Sequence, residues 1–85
     1  MKKAETTKPT KKRGKKTISS REELGKNMQR IRSQKGRTQK YIADQLNIEG
    51  NTYEYYEKGY ILPSILNLIS IAKALNVNVE EFLYI

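Results

Sequence analysis

The stretch QKYIADQLNIEGNTYEYYEK, residues 39–58, decides the fold. Its apolar residues recur at helical rather than strand spacing. Ile42, Ala43 and Leu46 share one face of a helix over about Gln39–Leu46. Tyr53 and Tyr56, three apart, share one face of a second helix over about Gly50–Lys58. Thr38 suits the N-cap of the first, because its hydroxyl accepts from a backbone N–H one turn ahead. Asn47 tolerates the left-handed conformation that ends a helix, and Gly59 does the same for the second. Residues 47–49 remain for the turn, which is the length a helix-turn-helix uses.

This stretch resembles the helix-turn-helix of the lambda-repressor/Cro-type (XRE) family. Ile42, Leu46, Ile48, Tyr53 and Tyr56 stand at the family's core positions, and Ala43 stands where two helices need a small side chain. Gln39 falls where the family often has a phosphate-touching Gln. The resemblance extends through LGKNMQRIRSQKGRTQ (24–39) and LPSILNLISIAKALNVNVEEFL (62–83), and covers about residues 22–83. It implies an all-α, compact five-helix lambda-repressor-like bundle over residues 20–85, preceded by a disordered basic N-terminal tail over residues 1–19. It also implies a sequence-specific double-stranded DNA-binding transcriptional regulator of prokaryotic or phage repressor type. Such a protein works in the cytoplasm, associated with the nucleoid, and binds DNA as a homodimer.

Charge supports a division of labour. The 85 residues hold 17 Lys and Arg against 9 Asp and Glu, a net charge of +8. Residues 1–20 carry eight of those cations and one acid, a net +7, so residues 21–85 are close to neutral. Beyond Met1 and Ala4, Ile18 is the one apolar side chain of the first twenty. Such a segment cannot offset its chain entropy by burial, so disorder is expected to about residue 18. The expected role is a cationic arm on the DNA backbone or in a groove. The plainer reading is a solubilising leader.

Helix 1 opens with Ser20 as N-cap and Glu23 three residues on, a capping box. Leu24, Met28 and Ile31 form its apolar stripe, and Gly36 ends it. Residues 21–40 hold a net +5 beside the helix-turn-helix, which favours phosphate contacts. Lys40 and Arg37 belong to that cluster. Arg37 stands where the family has an apolar residue, and it either loosens that corner or adds a phosphate contact. By resemblance, Arg32 and Glu57 form a structural ion pair that fixes helix 3 on the scaffold.

Helix 3 is the expected reader. Its outward positions are Glu49, Gly50, Asn51, Glu54, Tyr55 and Lys58. By resemblance, Gly50, Asn51 and Tyr55 face base edges. The Asn51 amide suits adenine, donating to N7 and accepting from N6. Gly50 offers only its backbone N–H. Thr52 and Tyr60 are expected near phosphates, and Tyr53 and Tyr56 are expected as core rings with hydroxyls at the edge. Two acids complicate the picture. Glu49 replaces the usual small polar N-cap, and Glu54 adds a second negative charge; residues 41–85 are net −4. Asn51 and Glu54 also spell a capping box, so helix 3 could start late and spend Asn51 on capping.

Ser64 caps a fourth helix over about Ile65–Leu75, with Ile65, Leu68, Ile69, Ala72 and Leu75 as its buried face. Asn78 and Glu81 form a further capping box for a fifth helix over residues 79–83. The apolar end FLYI, with Ile71 or Leu66, is a candidate dimer surface.

Other function classes are weaker. The acids of helix 3 motivate an alternative, a protein-interaction or antitoxin-type module whose helix 3 meets a regulatory protein partner. Non-specific binding through the tail alone is a third reading. The chain has no Cys and no His, which removes disulfides, thiol chemistry and the usual zinc sites. No nucleophile–base pair, phosphate loop or metal cluster is present, so no enzyme and no cofactor is expected. No run is apolar enough for a membrane span.

Overall fold

A computed structural model describes residues 16–85. Four α-helices, α1 (Arg21–Gln34), α2 (Gln39–Leu46), α3 (Gly50–Lys58) and α4 (Ile65–Leu75), are followed by a single 3-10 turn, Val79–Phe82. The expected boundaries of α2, α3 and α4 hold to the residue.

Each helix ends the same way. Gly36 (φ 72°), Asn47 (φ 57°), Gly59 (φ 78°) and Asn76 (φ 58°) take the left-handed conformation. The following N–H then reaches back to close the helix: Arg37 to the Arg32 carbonyl, Ile48 to Ala43, Tyr60 to Tyr55 and Val77 to Ala72. This is the Schellman pattern, which satisfies carbonyls the last turn leaves open. Three of the four starts are capped by side chains. The hydroxyls of Ser20, Thr38 and Ser64 accept from the N–H groups of Glu23, Tyr41 and Asn67. Glu23 completes a variant of the expected box. Its carboxylate accepts from the backbone N–H and the hydroxyl of Ser19, one residue before the cap. That backbone bond holds the carboxyl below the usual glutamate range.

One face of every element meets in the core. Leu24, Met28 and Ile31 come from α1, Ile42 and Ala43 from α2, and Tyr53 and Tyr56 from α3. Leu68, Ile71, Ala72 and Leu75 come from α4, and Phe82 closes the base. Burying one such large side chain contributes about 1.5–3 kcal/mol. The α4 stripe corrects the expected one. Ile71 is fully buried, whereas Ile65 is 67% exposed. Residues 68, 71, 72 and 75 form one continuous i, i+3, i+4, i+7 face. Ile65 is the first residue of the helix, just after an exposed connection, and adds nothing to that face.

The fifth helix is a 3-10 turn of four residues, and Asn78 makes no side-chain cap. The reason lies in α1. The buried Asn27 amide donates to the carbonyls of Phe82 (2.7 Å) and Tyr84 (2.9 Å). Those bonds hold the chain extended past Phe82, so no further helical turn forms. Residues 16–18, expected in the tail, join this structure. Thr17 and Tyr84 form an antiparallel bridge, with Ile18 N–H donating to the Leu83 carbonyl and Ile85 N–H to that of Lys16. Ile18 packs against the core. Among the described residues, packing therefore includes residues 16–18 of the expected tail. The rest of the expected tail, residues 1–15, lies outside the described residues.

Gly25 sets the spacing of α1 and α3. A Cβ there would lie 2.4 Å from the Glu57 carbonyl oxygen and 2.6 Å from that of Tyr56. Gly→Ala inside a helix ordinarily stabilises by up to about 1 kcal/mol. Here the sign reverses: Gly25→Ala is expected to destabilise by about 1–3 kcal/mol, read as a lower urea midpoint at unchanged slope.

Candidate nucleic-acid interface

The interface is built on the joint between α1 and α3. Arg32, in the last turn of α1, meets Glu57 side on: Nε to Oε2 is 2.6 Å and the second terminal nitrogen to Oε1 is 3.1 Å. The Glu57 side chain is 2% exposed and that of Arg32 13%. Glu57 lies near the C-terminus of α3, where the helix dipole disfavours a carboxylate. Its charge is held by three hydrogen bonds, because the Gln39 amide also donates to Oε1 at 2.9 Å. Arg32 in turn donates to the Arg37 carbonyl at 2.7 Å, which ties the α1–α2 corner to the same centre. The Glu57 hydrogen bond holds the Arg32 guanidinium above its ordinary range.

Tyr53 lies one turn before Glu57 and is fully buried. Its hydroxyl was expected at the core edge, but it is enclosed and meets no hydrogen-bond partner among the described residues. Burial, with the neighbouring Glu57 carboxylate, pushes the phenol far above its usual range, so it stays neutral. Its ring packs edge-on against Tyr56, with centroids 6.2 Å apart. Tyr56 does match the expectation, accepting at its hydroxyl from the Asn67 amide at 3.0 Å and so linking α3 to α4.

The outer face of α3 is open. Helix α3 starts at Gly50, so the late start that would spend Asn51 on capping does not occur. Asn51 is exposed in the first turn. Glu49 occupies the N-cap without a side-chain bond. Of the four helices, only α3 is left uncapped at its start by its own side chain. A Cβ at Gly50 would meet nothing within 4 Å, so the fold does not demand glycine there. Thr52 is half-buried behind this face, and Tyr55 is 39% exposed.

The charged and aromatic residues around that face engage one another. Lys58 and Glu54 pair at 2.8 Å one turn apart, and Glu54 raises the Lys58 ammonium above its usual range. This contact neutralises Glu54, one of the two acids that motivate a protein-partner reading, and leaves Glu49 at the helix start. The Tyr55 and Tyr60 rings lie 5.5 Å apart, and the Lys58 ammonium lies 5.8 Å from the Tyr60 centroid. Lys40 pairs with Asp44 at 3.0 Å. Arg37, expected either to loosen its corner or to add a phosphate contact, lies 4.7 Å over the Tyr41 ring and packs the corner as a flat cation. Gln39 sits half-buried with its amide on Glu57. Asn27 and Gly25 escaped sequence reasoning. An Asn and a Gly inside an apolar helical stripe were the available signal.

Two short helices joined by a tight turn, with the second clamped by its rear and bare at its front, define a helix-turn-helix protein. The helix-turn-helix family profile matches residues 28–82, and the chain belongs to that family, of the lambda-repressor/Cro (XRE) type. The transcriptional repressor RstR of the cryptic phage CTXphi from Vibrio cholerae serotype O1 is 40% identical over 45 residues, 53% of this chain. The match spans 40% of the length of that relative. The restriction-modification controller protein C.AhdI from Aeromonas hydrophila has the same fold. It has a TM-score of 0.70 at 22% identity, over 73% of this chain and 94% of that one. The clp gene regulator ClgR from C. glutamicum also superposes with a TM-score of 0.70. It is 27% identical, over 73% of this chain and 80% of that one. Among the described residues no helix is long and apolar enough to cross a membrane.

Two substitutions separate the parts of the clamp. Arg32→Ala leaves the Glu57 carboxylate buried without its partner, and a loss of about 3–5 kcal/mol is expected in urea unfolding. Tyr53→Phe removes an enclosed hydroxyl that lies beside the Arg32–Glu57 pair without a well-aligned hydrogen bond, and a change of no more than about 1 kcal/mol is expected in the same assay.

Proposed function

We propose that this chain is a sequence-specific double-stranded DNA-binding transcriptional regulator of repressor type, which inserts α3 into the major groove. The supporting observation is the state of the α3 front. Its first turn carries an exposed Asn51, an unrequired glycine at 50 and no side-chain cap, while its rear is locked by Arg32 and Glu57. A free amide at that position is suited to adenine. Bare N–H groups at a helix start donate to phosphate oxygens, and Gly50 lets a DNA backbone approach closely.

The other contacts follow from placement. Tyr55 and Tyr60 offer hydroxyls and ring faces beside the reading face. Lys58 can turn from Glu54 to a phosphate, as can Lys40 from Asp44, since both pairs are exposed and weak. Glu49 can accept from cytosine N4, and Thr52 and Arg37 supply further phosphate contacts. Gln39 orients Glu57 first and meets a phosphate only if it leaves that bond. The basic segment 1–15 adds sequence-independent affinity in this reading, which is strongest at low salt. The protein acts in the cytoplasm as a homodimer on a near-palindromic site.

Selection from random duplex DNA tests the reading. The full chain and residues 16–85 are expected to enrich the same motif, with the shorter chain binding more weakly and with a shallower salt dependence. Asn51→Ala is expected to relax one base position, at a cost of about 1–3 kcal/mol in discrimination, with unfolding unchanged. Retention of DNA without any motif, lost on removing residues 1–15, would contradict the proposal.

A further inference from the structure

Asn27 is a polar residue inside the apolar stripe of α1, between Leu24 and Met28, and it is 6% exposed. Both amide hydrogens and the oxygen are engaged. Its Nδ2 donates to the carbonyls of Phe82 at 2.7 Å and Tyr84 at 2.9 Å, and its Oδ1 accepts from Arg30 at 3.1 Å. A leucine there would extend the stripe and avoid the cost of burying an amide. Helices α1 to α4 are closed by their own left-handed stops, so the amide serves none of their ends.

What it holds is the junction of two distant segments. Phe82 and Tyr84 belong to the extended end that pairs with residues 16–18. Ile18 N–H donates to the Leu83 carbonyl and Ile85 N–H to the Lys16 carbonyl, both at 2.8 Å. Residue 16 is thereby fixed as the point where residues 1–15 join the described structure. Those residues carry seven Lys and Arg and one Glu, a net +6 of the chain's +8. We propose that Asn27 is a positioning residue for DNA binding. Through this clasp it fixes the origin of the basic segment 1–15, and so sets the share of binding that the segment supplies. The inference rests on the proposed function in taking duplex DNA as the ligand.

The origin so fixed lies near the end of α3. Residues 16 to 20 span at most about 14 Å of extended chain, and α1 begins at Arg21. The first turn of α1 packs on the end of α3, where a Cβ on Gly59 would lie 2.7 Å from the Glu22 Cα. By that path residue 16 is held within about 25 Å of Gly59. Fifteen residues reach up to about 50 Å when extended, which is enough to follow the phosphates that flank α3. Without the clasp, residues 16–18 lose their fixed place, and binding must then order them. Ordering even one backbone residue weakens binding by about tenfold.

A double-mutant cycle tests the role, with affinity for a selected duplex read by fluorescence anisotropy at low salt. In the full chain, Asn27→Leu is expected to weaken binding about tenfold with base preference kept. Once the seven Lys and Arg of residues 1–15 are changed to Gln, the same substitution is expected to change affinity by less than about twofold. A merely structural role would cost the same in both backgrounds. Ile18→Pro carries the test if Asn27→Leu folds poorly, since it removes the N–H that bonds the Leu83 carbonyl and leaves Asn27 in place. Faster hydrogen exchange at the Ile85 amide reports that the clasp has opened in either variant. Equal losses in the two backgrounds overturn the proposal. So does an opened clasp with no loss in the full chain, or a charge-neutralised chain that binds as tightly as the wild type. Base preference separates this role from the reading it rests on. Preference kept without coupling removes the positioning role alone. Coupling kept without base preference in any form removes the sequence-specific reading and supports Asn27 as a positioning residue for binding the DNA backbone.

Discussion

Arg32 and Glu57 bring a guanidinium and a carboxylate to within 2.6 Å in a nearly dry joint between α1 and α3. The cost of taking both charges from water is offset only by good geometry and additional hydrogen bonds. Both conditions are met, since the contact is bidentate and Gln39 adds a third bond to the carboxylate. The pair's consequence is orientation more than stability. It joins the last turn of α1, the first residue of α2 and the last turn of α3 at one point. Gly25 lets the backbones of α1 and α3 touch beside it, and Gly59 brings the end of α3 within contact of Glu22. A helix of nine residues has too little surface to hold its own angle. Here its rear is locked at a polar joint and its ring residues Tyr53 and Tyr56 are buried, which leaves its front free for a ligand.

Much of this was legible in the sequence because the signals were local. The hydroxyl caps, the left-handed Asn and Gly stops and the helical spacing of Ile42, Leu46, Tyr53 and Tyr56 each act within one or two turns. They placed α2, α3 and α4 to the residue. What escaped depended on contacts between distant segments. The last turn is 3-10 because Asn27, 55 residues away, takes the Phe82 carbonyl. Residues 16–18 are ordered because they pair with residues 83–85, which no local composition reveals. The helical pattern puts Ile65 on the buried face and Ile71 at a candidate dimer surface, and the structure reverses the two. Their fates differ because α4 meets its neighbours along one stripe only.

The site was legible in its membership more than in its state. The Arg32–Glu57 pair followed from the resemblance and is present. The sequence left two roles open for Asn51, and the observed start of α3 at Gly50 assigns it to the exposed face. The acids of α3 looked adverse to DNA when counted by charge. Paired with Lys58, Glu54 contributes little net field. Electrostatics therefore divides the molecule. The formal charge concentrates in the first 16 residues, while the exposed face of α3 is close to balanced and, in the proposed function, acts through hydrogen-bonding groups. Affinity and specificity come from different parts of the chain in such an arrangement.

The most direct test is an amide chemical-shift titration of the full chain with a selected duplex. The account predicts large changes at Gly50, Asn51 and Tyr55, with Arg32 and Glu57 shifting little because the clamp does not open. Changes confined to residues 1–15 and the cationic face of α1, with the front of α3 silent, would contradict it.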